Sequence, residues 1–213
     1  MTKCRQLLAT SAVGLLLLAV LVSPGTPAKA ATPTFYTNRT TFEAALGSMV
    51  TDDYGSPPYP PGGGTYSDAS FSAYLGETDY HTTHFADWNM LQGDGSYCAG
   101  CNGSFELSFQ TTCVTQSGTG VYGVGVDILA NSLPGYPPPY YAFVTYGDGA
   151  TDDIPLPAGA SFFGVTAREL IVSIHFGLEK GGSTQDGYFV IDNLTIGREY
   201  SFYIPLCVYR AVG

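Results

Sequence analysis

Asp186-Gly-Tyr-Phe-Val-Ile-Asp-Asn-Leu-Thr-Ile-Gly197 decides the fold. Tyr188, Val190, Asp192 and Leu194 alternate with Phe189, Ile191, Asn193 and Thr195, and a glycine bounds the run at either end. A two-residue period of branched and aromatic side chains predicts a β-strand. An Asp-Asn pair is set into it, where solvated polar residues are out of place. The pair is expected to do a local structural or metal-binding job. No catalytic signature accompanies it.

The same period recurs upstream. Phe105, Leu107 and Phe109 alternate with Glu106, Ser108 and Gln110. Tyr122, Val124, Val126 and Ile128 share a face opposite Gly123, Gly125 and Asp127. Tyr141, Phe143 and Thr145 alternate with Ala142, Val144 and Tyr146, and Gly147-Asp-Gly149 then reverses the chain as a hairpin toward Ile154 and Leu156. Phe162-Phe-Gly-Val165 follows, then Leu170, Val172, Ile174 and Phe176 opposite Ile171, Ser173 and His175, which places His175 on the exposed face. Short strands, Gly/Pro turns and no alternating helices predict an all-β chain, an antiparallel β-sandwich of jelly-roll type.

Elsewhere the pattern is less regular. Asn38 or Thr40 can cap one short N-terminal helix running to Leu46, with Phe42, Ala45 and Leu46 on one face and Gly47 ending it. Gly55-Ser-Pro-Pro-Tyr-Pro-Pro-Gly-Gly-Gly64 is expected to be an exposed loop, since proline removes donors and glycine adds entropy. Phe71 to Leu75 reads as a strand, and residues 77–102 have no regular pattern.

Residues 1–30 read as a signal peptide. Lys3 and Arg5 precede the apolar run Gln6 to Val22, and Ala28-Lys-Ala30 supplies a small-x-small cleavage site. The expectation is a secreted, extracellular or cell-surface chain, with a single domain over 31–197 and an extension over 198–213 that can add one more strand. Losing Lys3, Arg5 and Lys29 leaves five of eight basic residues against eighteen acidic ones, a formal −13. Such a charge disfavours nucleic acid and anionic lipid as partners. Of the five cysteines, Cys4 leaves with the peptide. Cys98, Cys101, Cys113 and Cys207 remain, an even number read as disulfides, with Cys98–Cys101 and Cys113–Cys207 the preferred pairing of three. A zinc site or a redox pair at Cys98-Ala-Gly-Cys101 is the less favoured reading.

Thr34-Phe-Tyr-Thr-Asn-Arg-Thr-Thr-Phe-Glu-Ala-Ala-Leu-Gly47 resembles the opening of secreted β-sandwich domains common in bacterial exosortase-associated (PEP-CTERM) proteins. Thr51-Asp-Asp-Tyr54, Gly120-Val-Tyr-Gly-Val-Gly-Val-Asp127, Phe162-Phe-Gly-Val165, Ile171-Val-Ser-Ile-His-Phe176 and Ile191-Asp-Asn-Leu-Thr-Ile-Gly197 follow that family's order. The resemblance implies a jelly-roll, lectin-like or carbohydrate-binding module. The sorting tail of that family is not matched, because Arg198 to Arg210 is too short and too interrupted to span a bilayer.

Candidate site residues follow from side-chain chemistry. Asp192, Asn193 and Asp127, with a backbone carbonyl, are hard oxygen donors that suit a structural Ca²⁺. The simpler expectation is that Asp192 or Asn193 hydrogen-bonds backbone of a neighbouring loop. Asp148-Gly-Ala-Thr-Asp-Asp153 lacks the acid spacing of a calcium loop and reads as a solvated hairpin tip. His81 and His84 share a face only on a helix, and their β-branched flanks argue against one. Trp88, Tyr136 and Tyr140, with Tyr59 and Tyr66 nearby, sit in or beside loops where aromatic faces can stack on sugar rings. Glu77, Asp79 and Glu106 form no recognisable glycosidase pair, and neither an esterase elbow nor a phosphate loop occurs. The reading is a non-catalytic module for extracellular polysaccharide. An envelope-matrix assembly protein is the alternative, and a polysaccharide hydrolase comes third.

Overall fold

The computed structural model describes residues 32–101, 103–109, 112, 114, 120–132, 140–184 and 187–200. The chain is all-β and antiparallel, as its periodicity predicts. In order it forms β1 (Thr34–Tyr36), α1 (Arg39–Glu43), β2 (Met49–Asp52), β3 (Gly64–Tyr66), α2 (Asp68–Leu75) and β4 (Asp79–Thr82). There follow β5 (Asn89–Leu91), β6 (Tyr97–Ala99), β7 (Phe105–Ser108), β8 (Val121–Ser132), β9 (Tyr141–Tyr146), β10 (Thr151–Pro155), β11 (Ser161–Gly177) and β12 (Tyr188–Gly197). All twelve strands belong to one hydrogen-bonded sheet, curled into a half-barrel, whose main path runs β10-β9-β11-β8-β12-β6-β5-β3.

The curl originates in β11, which the sequence divides into two strands and the structure joins into one of 17 residues. Its first half pairs Ser161–Thr166 with β8 and lays Gly164–Thr166 against β1. Its second half pairs Ile171–Gly177 with β9 and Ser173–Phe176 with β7. Between the halves Leu170 takes a left-handed φ of 62°, and just after it the register with β9 shifts between Ile171 and Ser173. A bulge of this kind turns a strand and sharpens its twist. The sheet therefore bends over its own core: Phe105 on β7 and Phe176 on β11 meet Phe189 on β12, with ring centroids 5.9 and 5.3 Å away. No helix among the described residues is long and apolar enough to cross a membrane.

On the opposite side of β8, α1 lies in a trough. Gly123 and Gly125 occupy the face that the alternation assigns away from Val124 and Val126. A Cβ at Gly125 would come within 2.6 Å of the Phe42 ring and 2.8 Å of Phe162, and one at Gly123 within 2.5 Å of Leu46. Gly164 and Gly197 extend the same clearance to β11 and β12. Asn38 caps the helix, its side chain accepting from the Thr41 N–H.

Phe71–Leu75 is helical, against the strand reading of its aromatic residues. Ser67 caps α2 by accepting from Ser70 N–H, and Gly76, at φ 74°, closes it. Caps at both ends outweigh the modest β-preference of Phe and Tyr. The unpatterned stretch after it supplies β4, β5 and β6.

Gly125→Val is expected to lift α1 off the sheet and cost roughly 2–3 kcal/mol. A urea midpoint equal to that of the wild type would show that the helix does not depend on this clearance.

Candidate functional site

Three polar nodes and the cleft beside the Pro/Gly loop stand out among the described residues. The first node answers the Asp-Asn pair in β12. The register with β8 shifts between Asp192 and Thr195, and Asn193 sits at φ 49°. Asn tolerates this conformation better than most residues. The bulge turns the Asn193 carbonyl toward Arg39 of α1, whose Nη2 donates to it at 2.8 Å. Arg39 Nε lies 3.1 Å from both Asp127 carboxylate oxygens, and Nη2 is 3.0 Å from Oδ2. Nη1 reaches Thr195 Oγ1 at 2.8 Å and Glu43 at 3.1 Å, while the guanidinium carbon lies 5.0 Å from the Phe162 ring centroid.

Asn193 Nδ2 donates to Asp127 Oδ2 at 3.0 Å, so two of the three proposed calcium ligands do meet. They meet around a guanidinium. Asp192 instead accepts from the Asn193 N–H at 2.7 Å, and partial burial, with Asp127 nearby, lifts its carboxyl above the ordinary value. This donor set does not fit a calcium ion, because Arg39 already takes both Asp127 oxygens and supplies the positive charge. No group of three or more His, Cys, Asp or Glu among the described residues is arranged to hold a metal. Arg39 was legible only as part of the helix, and its reach to residue 127 had no local signal.

The second node is buried. Asp52, 4% exposed at the end of β2, accepts from Tyr59 Oη at 2.6 Å and from the Tyr54 N–H at 3.0 Å. Tyr80 Oη lies 3.1 Å from both Asp52 Oδ2 and Tyr54 Oη. Tyr80 has one proton, so the arrangement that satisfies every group has Tyr54 donating to Tyr80 and Tyr80 to the carboxylate. Burial, with Asp52 second, pushes all three phenols well above their ordinary value, so they remain donors. Burial likewise raises the Asp52 carboxyl, against the opposing hydrogen bonds. Around the node Tyr54, Tyr59, Phe71, Tyr80 and Tyr97 form a ring cluster.

Tyr54 also forms part of the cleft. The Pro/Gly loop 55–63 stands on one side, anchored by Tyr59, and the β5–β6 turn stands on the other. The space between measures about 280 Å³ and is lined by Tyr54, Pro60, Pro61, Leu91, Gln92 and Asp94 among others. The turn is braced from within, because Asp94 Oδ1 accepts from both the N–H and the hydroxyl of Ser96.

The third node is Asp68 at the start of α2. Its carboxylate accepts from the Thr82 N–H and hydroxyl and, at 2.7 Å, from Asn89 Nδ2. It also meets exposed His81 Nδ1 at 2.9 Å. Asn89 Oδ1 accepts from buried Tyr97 Oη at 2.7 Å, so this chain ties α2, β4, β5 and β6 together. His81 lies on strand β4, and His84 packs edge-on against Phe85 outside it. Asp79 and Glu106 are diagonal neighbours across β4 and β7.

The remaining expectations divide. Cys98 and Cys101 form the disulfide that was preferred, while Cys113 and Cys207 lie outside the described residues. Tyr136 lies outside them too. Trp88 is 47% exposed and edge-on to Phe85, but it does not line the cleft. Tyr140 is not a surface residue: it is fully buried and stacked on Phe189 at 4.8 Å. Its position before β9 looked like a loop, but its ring belongs to the core. Tyr59 is likewise buried, and Tyr66 packs against Tyr74. His175 is buried rather than exposed, for reasons given below. No family model matches the chain, and no curated protein or solved structure matches it.

Asp52→Ala removes the acceptor shared by the Tyr59 and Tyr80 hydroxyls and the Tyr54 N–H, and is expected to cost roughly 3 kcal/mol or more, read from urea unfolding. The raised Asp52 value has a definite sign. The protonated carboxyl favours the fold, so its contribution is complete below about pH 4 and is lost as pH rises through the raised value. Asp52→Asn should therefore lose less stability than the wild type between about pH 4 and about pH 7. Parallel unfolding curves at both pH values would refute the assignment.

Proposed function

We propose that this chain is a secreted, non-catalytic β-domain that binds a glycan or matrix polymer outside the cell, in the manner of jelly-roll, lectin-like modules. The cleft between loop 55–63 and the β5–β6 turn carries this reading. Pro60 and Pro61 offer apolar surface for a sugar ring, and Gln92 and Asp94 offer hydrogen bonds to its hydroxyls. Its volume stands at the small end of ligand pockets, which begin near ~300 Å³, and suits a short saccharide rather than a protein segment. Asp94 and the acidic chain as a whole favour a neutral sugar over an anionic one. Exposed Trp88, a few residues along the same strand pair, can extend the contact. The Cys98–Cys101 disulfide supports an oxidising, extracellular setting.

One observation favours the assembly reading as a second. Phe35 on β1 and Met49 on β2, both strands with a single partner among the described pairings, are exposed, as is Tyr200 beyond β12. Apolar residues at sheet edges suit contact with other chains. Concentration-dependent association that Met49→Lys abolishes would support it over the glycan reading.

The direct test is an array of neutral and acidic oligosaccharides and exopolysaccharides. Binding to a neutral glycan is expected, weakened roughly fivefold by Gln92→Ala, the loss of about one hydrogen bond. No binding to any member would overturn the proposal.

A further inference from the structure

Of the three histidines, His175 alone is buried, at 5% exposure. It lies on the outer face of β11, the side from which solvent would ordinarily reach it. Its ring stacks on Phe143 of β9, and Phe143 stacks on Tyr141, with centroid spacings of 5.6 and 5.5 Å. The segment 178–184 leaves β11 and folds back over His175 at the end of this row.

We propose that residues 178–184 are a strap latched by neutral His175 and released when the ring takes up a proton, uncovering His175 at the end of the row. The hydrogen-bond directions carry the inference. The Gly181 N–H donates to His175 Nδ1 at 3.2 Å, which requires that nitrogen to be bare. The ring proton is then on Nε2, facing Thr83 Oγ1 at 3.1 Å. Thr83 donates to Ser104 Oγ at 2.6 Å, and Ser104 Oγ lies 3.4 Å from the Gly182 carbonyl and accepts from the Thr184 N–H at 2.9 Å. Thr184 Oγ1 in turn accepts from the Leu178 N–H, closing the base of the strap. A second proton, on Nδ1, would point at the Gly181 N–H. Donor would face donor, and the imidazole would lose its bond to the Gly181 N–H, leaving the Gly182 carbonyl as its remaining partner on the strap.

The charges around the ring are few and known. Glu106 on β7 stands directly opposite His175, and His81 on β4 stands beyond it. β10 contributes Asp153, opposite Phe143, and the strap contributes Glu179 and Lys180. β9 contributes only the Phe143 ring, and Thr83 and Ser104 are neutral. Burial prevails among these and holds His175 below the ordinary imidazole value, although Glu106 and the Gly182 carbonyl pull it upward. A lowered value means that the latch is complete above about pH 6.5 and is lost as pH falls through that lowered value. The Lys180–Asp153 pair, at 3.9 Å and largely exposed, holds the strap weakly.

Hydrogen exchange on the full chain at about pH 7.5 and about pH 5, corrected for the intrinsic rate, reads the latch. Protection of the amides from Gly181 to Thr184 should fall at least about tenfold in acid relative to those of β11. In His175→Gln the amide oxygen can still accept from Gly181 and its NH₂ can face Thr83, so this chain should show no such fall. Unchanged wild-type protection, or an equal loss in the variant, would overturn the proposal. If the variant does not fold, ¹⁵N shifts of the wild-type ring decide the matter: a proton on Nδ1 at neutral pH refutes the latch.

Discussion

β11 must serve two sets of partners, and the rest of the molecule is arranged around how it does so. Up to Thr166 it is a partner of β8 and β1, and from Ile171 it is a partner of β9 and β7. The left-handed Leu170 and the register shift between Ile171 and Ser173 make the change possible without breaking the strand. Because both halves are one rigid element, the inner rings of β7 and β11 are brought over those of β12. A core forms inside a single sheet rather than between two. The Gly147 N–H, in the hairpin after β9, lies within hydrogen-bond reach of the carbonyls of both Glu169 and Leu170, so the turn and the bend hold each other.

Around that core, polar side chains act as fasteners between elements far apart in the chain. Arg39 joins the N-terminal helix to β8 and β12. Asp52 joins β2, β4 and the Pro/Gly loop. Asp68 joins α2 to β4 and β5. Each is a carboxylate or guanidinium with several partners, the condition under which a buried or half-buried charge is tolerated. The cleft inherits its shape from the second fastener: Tyr59 inside the loop is gripped by Asp52, so a segment rich in proline and glycine holds a defined wall.

Strand positions were legible because the two-residue period of β7, β8, β9 and β12 is clean and each is long enough to display it. The glycine face of β8 was visible too, although its purpose was not, since only the docked Phe42 and Leu46 explain it. The Asp-Asn pair in β12 stood out correctly as irregular. Its partner did not, because an arginine more than 150 residues away leaves no trace in local pattern. α2 was missed because its helical evidence resides in two caps rather than in an apolar stripe. His175 and Tyr140 were misplaced for a related reason. Alternation gives the side of a sheet, but not whether a strap or a neighbouring ring covers that side.

The connectivity has a kinetic corollary. β1, α1 and β2 are made first, yet the sheet partners of β1 and β2 are β11 and β12, more than 120 residues further along the polypeptide. The strand β2 has no ladder partner until residues near Gly197 have emerged. Such long-range closure is slow compared with local pairing, because chain entropy is lost before contacts repay it. Under the export proposed above, that delay would keep the polypeptide loose until its last strand is available.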